Sequence, residues 1–98
     1  MIVNIKDPFK PFIEGKWQCK GGWADVDLSP DAKIAVLTQG HQLDCTESPA
    51  QAAIIDISDK KNPKLLSTIQ DDEEIEYVHT ANLDNNLLYL NPQAAAFY

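Results

Sequence analysis

"AIIDISDKKNPKLL", residues 53–66, decides the fold, because residues 1–13, "MIVNIKDPFKPFI", repeat its pattern. At a fixed offset of 52 residues, Ile2, Val3, Asn4, Ile5 and Asp7 fall on Ile54, Ile55, Asp56, Ile57 and Asp59. Pro11 falls on Pro63 and Ile13 on Leu65. A period near 50 is longer than one hairpin and about the length of one propeller blade, although helical units also repeat at this length. The local pattern points to β structure. Val3 and Ile5, like Ile55 and Ile57, are two residues apart and share one face of a strand. Asp7 and Asp59 can close a turn through their side chains. Pro11 and Pro63 fix φ at the start of the next strand, where a missing N–H is tolerated. Each phrase therefore predicts strand, tight loop, strand.

Between and after the two copies stand "ADVDLSPDAKIAVLT" (24–38) and "VHTANLDNNLLYLNP" (78–92), each again strand, polar turn, strand. No window shows apolar residues at helical spacing, and "QAAAF" near the end is too short to be a helix unaided. With the four strands of a unit named a to d, the chain runs c (Ile2–Ile5), d (Phe12–Trp17), a (Ala24–Leu28), b (Ile34–Thr38), c (Ala53–Ile57), d (Leu65–Ile69), a (Val78–Leu83), b (Leu87–Leu90). The fold class expected is all-β: antiparallel four-stranded β-propeller blades, one complete blade flanked by two half blades. Residues 1–17 supply strands c and d of one blade, 24–69 a complete blade, and 78–98 strands a and b and the start of c of the next.

Composition narrows the function. The 98 residues allow one small domain, with 44% hydrophobic, 23% charged and 8% aromatic residues, a globular balance. A net charge of −7 argues against nucleic acid as a partner, because phosphate neutralisation needs clustered Lys and Arg. No apolar run approaches the roughly 20 residues that span a bilayer, and the first residues do not read as a signal peptide.

"AIIDISDKKNPKLL" resembles the LVIVD repeat, in which an apolar run is followed by D-[IV]-S-D-P-x-x-P and a further apolar strand. Lys60 stands where that pattern has Pro, and in the first copy Asn4 and Lys6 replace Asp and Ser. "WQCKGGWADVDLSPDAKIAVLTQGHQLDC" (17–45) is similar to the a–b hairpin of a secreted branch with a Cys on either side. "YVHTANLDNNLLYL" resembles strands a and b of the following blade. The resemblance covers almost the whole chain. It implies a propeller of several blades, often in secreted or surface-anchored bacterial proteins and generally without assigned chemistry. Two origins stay open: a segment of a longer propeller, or a short chain whose copies close a ring, the a–b half of one joining the c–d half of the next. The expected partners are accordingly the remaining blades of a longer chain or identical chains.

In such a unit the d–a and b–c links share one rim. Cys19 and Cys45 lie in two of those links, close enough in topology to form a disulfide and so to imply an oxidising compartment; two free thiols in a reducing cytosol are the alternative. His41, Asp44, Trp23 and His79 form the candidate ligand rim, extracellular, periplasmic or at the cell surface. The leading reading is a non-catalytic module binding a protein or glycan there, without a cofactor. The alternative is a divalent metal held by His41, His79, Asp71 and Asp72, in a metal-binding or hydrolytic propeller. No G-x-S-x-G elbow or other catalytic motif accompanies these residues. Gly21–Gly22 could cradle a phosphate or mark a close backbone approach. Trp17 and Trp23 could line a groove or pack between blades. The long loop "HQLDCTESPAQ" (41–51) favours recognition.

Overall fold

The computed structural model describes residues 1–18, 23–39, 51–69 and 78–92, and of Trp23, Ala24, Gln39, His79 and Pro92 the strand position alone. Eight strands follow one another: β1 (Ile2–Asn4), β2 (Phe12–Gly15), β3 (Trp23–Leu28), β4 (Ile34–Gln39), β5 (Ala52–Asp56), β6 (Lys64–Ile69), β7 (Val78–Asp84) and β8 (Leu87–Pro92). They form three antiparallel sheets, ordered β1-β2, β3-β4-β5-β6 and β7-β8. No helix occurs among the described residues. The class is thus all-β, in small separate sheets of two, four and two strands. The expected start of a further strand c at 93–98 lies outside the described residues.

The repeat seen in the sequence extends to backbone register. Ile2 pairs with Gly15, Val3 with Ile13 and Asn4 with Phe12. In the central sheet Ile54 pairs with Ser67, Ile55 with Leu65 and Asp56 with Lys64, the same pairs 52 residues on. Both hairpins carry their register shift at the same place, between Ile2 and Val3 and between Ile54 and Ile55.

The loops repeat too. Asn4 Oδ1 accepts from the Lys6 amide at 2.8 Å, and Asp56 Oδ1 from the Ser58 amide at 2.8 Å. Asp7 Oδ1 accepts from the Phe9 amide at 3.0 Å, and Asp59 Oδ1 from the Lys61 amide at 3.1 Å. Asn4 therefore preserves the acceptor that Asp56 provides, so the repeat tolerates the exchange. This local capping also explains why β1 stops at Asn4, one residue before the expected end.

The central sheet is apolar on both faces, because β4 and β5 alternate within nearly continuous apolar runs. One face buries Ala35, Ala53, Ile55 and Ile57, against which Ile2 and Trp17 pack from the first hairpin side. The other buries Val36 and Ala52 together with Ala81 of β7, flanked by Leu83, Leu88 and Leu90 of the last hairpin.

Two close fits hold the first hairpin and the turns in place. A Cβ at Gly15 would overlap the Lys60 carbonyl oxygen and lie 3.1 Å from Pro63 Cδ, so β2 approaches the β5–β6 loop as only glycine allows. Lys60 Nζ donates to the carbonyls of Ala32 and, at 2.7 Å, Ile57, tying the β3–β4 turn to the β5–β6 loop. In that turn Ala32 holds a left-handed φ of 58°.

Candidate functional site

Of the predicted rim, the described residues place two positions. Trp23 opens β3 opposite Gln39. His79 is the second residue of β7, inside the register shift between Val78 and Thr80. The equivalent shift in β3 lies between Trp23 and Asp25. Both positions thus stand at the starting ends of edge strands, where a bulge re-aims the chain. His41, Asp44, Asp71, Asp72, Cys19 and Cys45 lie outside the described residues, as do Gly21 and Gly22. Among the described residues no group of three or more His, Cys, Asp or Glu could hold a metal ion. Nor is any helix there long and apolar enough to cross a membrane.

The described carboxylates that stand out have structural partners. Asp31 is held below the usual carboxylate range by the Ser29 hydroxyl, which donates at 2.7 Å, and by the Lys33 amide at 3.0 Å. Asp56 is lowered by the Ser58 hydroxyl, at 2.6 Å, and by the Ser58 amide. Asp59 is lowered by the Asn62 carboxamide at 3.0 Å and the Lys61 amide. Each ionised oxygen closes its own turn.

Asp25 and Asp27 act between sheets instead. Asp25 Oδ2 accepts from the Ala81 amide at 3.3 Å, and Asp27 Oδ2 from the Leu83 amide at 2.6 Å. These amides belong to the edge of β7 that β8 does not occupy, where an uncapped N–H needs water or a foreign strand. The carboxylates of one edge strand thereby cap the open edge of the next. Sequence reading missed this role. Its signal is the alternation of "DVD", in which the face turned toward the neighbouring sheet carries acids instead of apolar groups.

The described residues also enclose a recess on the opposite face of the central sheet, about 390 Å³ in volume. Met1, Ile2 and Trp17 line it together with Val26, Leu28, Ala35 and Leu37 of the central sheet. Val26 and Leu28 are 56% and 50% exposed, unlike their registered neighbours in β4. The sole charged side chain in the lining is Lys60, whose ammonium is engaged by the two carbonyls named above. Such a recess offers chiefly apolar contact. Trp17 both lines the recess and packs against the Ile55 cluster.

Comparison of the chain with protein-family models, with curated proteins and with solved structures finds no match.

Proposed function

We propose that this chain is an LVIVD-like repeat propeller segment, a non-catalytic module that binds protein or glycan at the rim carrying the d–a and b–c connections. What supports the reading is one observation: a four-stranded sheet with two apolar faces, covered on each side by a hairpin whose strands match its own half by half. Sheets of that kind are stable only when stacked, which is the principle of propellers and other repeat folds. On this reading β1–β2 is the outer half of one blade, β3–β6 a complete blade, and β7–β8 the inner half of the next. The remaining blades come from a longer chain or from identical chains. Cys19 and Cys45 bridge on the rim in an extracellular, periplasmic or cell-surface setting.

The rim then presents Trp23, His41, Asp44 and His79 to the ligand, the aromatic ring stacking and the others donating and accepting hydrogen bonds. The test is a binding screen against cell-wall glycans and surface proteins, with Trp23→Ala and His41→Ala as probes. Retained circular dichroism with at least about a tenfold loss of binding, or about 1.4 kcal/mol, supports the rim. Saturable thermal stabilisation by a divalent metal, lost in both His41→Ala and His79→Ala, would replace this reading by the metal-dependent one.

A further inference from the structure

We infer that the recess between Trp17 and Leu28 is the seat of the β7–β8 hairpin of a second copy of this chain, joined head to tail. The inference rests on the stacked-repeat reading above and commits it to one partner.

The molecule contains its own template for this contact. Strand registers equate β3 with β7 and β4 with β8: Val26 corresponds to Ala81, Leu28 to Leu83, Ala35 to Leu88 and Val36 to Tyr89. Within the chain, Val36 of the central sheet is buried in the cluster that Ala81, Leu88 and Leu90 complete. One repeat earlier, the corresponding surface is Val26, Ala35 and Leu37, and it lines the recess. One repeat later, the corresponding covering groups are Leu87 and Tyr89, which are 59% and 55% exposed. The sizes are complementary in reverse. Inside the chain a small Val36 meets the large Leu88; between copies a large Tyr89 meets the small Ala35.

The polar contacts have a template as well. The Ser29 amide donates to the Ile34 carbonyl at 2.9 Å, which fixes the hydrogen-bonding phase of β3 and turns the Val26 and Leu28 amides away from β4. These are the counterparts of the Ala81 and Leu83 amides that Asp25 and Asp27 cap. In the second copy Thr80 and Asn82 occupy the places of Asp25 and Asp27, and both carry a side-chain oxygen that accepts.

Docking completes a sheet too. Among the described residues β8 pairs only with β7, and β1 only with β2. Extending the β4–β5 register to β8 and β1 sets Leu88 opposite Val3 and Tyr89 opposite Ile2, as Ala35 stands opposite Ile55 and Val36 opposite Ile54. The resulting order, β7-β8 from one copy and β1-β2 from the next, reproduces that of the central sheet. Such a heterologous contact closes into a ring or continues as a filament, according to the rotation between copies.

Sedimentation velocity of the chain tests this, with Tyr89→Arg and Leu28→Arg as variants that each spoil one of the two surfaces. The expected result is a wild-type oligomer, a discrete ring or a polydisperse filament, and two monomeric variants with unchanged circular dichroism. Mixing the two variants restores one contact and stops there, because the Leu28→Arg chain keeps its hairpin and the Tyr89→Arg chain keeps its recess. The mixture therefore sediments at twice the monomer mass. Leu87→Arg and Val26→Glu serve if either first variant unfolds. A monomeric wild type, or a mixture that remains monomeric, overturns the second copy as occupant and assigns the recess to another segment or ligand. The stacked-repeat reading survives that result if the Leu83 amide stays protected from exchange in wild type and loses protection in Asp27→Ala; it fails with the proposal if that amide is unprotected in both.

Discussion

The two faces of the central sheet carry similar apolar residues but are finished differently. On the face toward β7–β8, that last hairpin covers Val36 and Ala52, and two carboxylates from β3 hold its edge. On the face toward β1–β2, Ile2 of the first hairpin and Trp17 pack against Ile55 and Ala53, while Val26 and Leu28 of β3 stay open. The difference teaches that similar apolar side chains end up buried or open according to whether another sheet lies over their own strand: β7–β8 covers β4 and β5 on one face, whereas Val26 and Leu28 of β3 stay exposed on the other.

The largest break of this comparison is Val36→Asp set against Val26→Asp. Val36 is buried, so the unpaired charge should cost about 3–5 kcal/mol and unfold much of the chain. Under conditions where the chain is monomeric, Val26→Asp should stay within about 0.5 kcal/mol of wild type. Urea midpoints of the two variants check the contrast, and equal losses would contradict it.

Gly15→Ala sharpens the first-hairpin side. Lys60 backbone must move to admit a methyl group, which should cost about 1–3 kcal/mol. Ser67→Ala, at the equivalent exposed position of the central sheet, should change the denaturation midpoint little. Asp27→Ala removes the acceptor from the Leu83 amide and should cost about 1 kcal/mol, with faster hydrogen exchange at that amide. Asp27→Asn, which retains an acceptor oxygen, should recover part of both effects.

The smallest effect comes from acid. Asp31, Asp56 and Asp59 all have lowered pKa values in the fold, through their hydroxyl, carboxamide and amide donors. Their stabilisation is therefore complete above the unfolded value of 3.8 and is lost as pH falls through the lower folded values. Amide exchange at Ser58 should accelerate on acidification below about pH 4, relative to the intrinsic rate. Protection at Lys6 should fall less, because the Asn4 carboxamide that holds it does not ionise. Following both amides through the acid range by NMR compares the two loops directly.

Much of this architecture is legible in the sequence. Alternation at Val26 and Leu28, at Ile55 and Ile57 and at Ala81 and Leu83 marks the strands. The repeated Asx and Pro positions mark both outer loops, because these signals act over two to four residues and need no tertiary context. Contacts between sheets are less visible. Nothing in "DVD" says that its acids meet amides 56 residues later, and Lys60 reads as a departure from a Pro pattern until its ammonium is seen between two loops. Gly15 looks like an ordinary strand residue, since the carbonyl that forbids a side chain belongs to another sheet. Of the proposed ligand rim, Trp23 and His79 fall at the starting ends of β3 and β7, positions that the strand pattern alone predicted.

The aspartate caps on β7 carry a consequence for solubility. An exposed strand margin is ordinarily an invitation to polymerise through main-chain pairing, and β-rich sequences resist by placing charge beside it. Here the charge is donated by the adjacent layer and attached to the very amides that an intruding chain would need. Recruitment of a stray extended peptide at that margin must first displace Asp25 and Asp27, so amyloid-like extension from β7 is opposed.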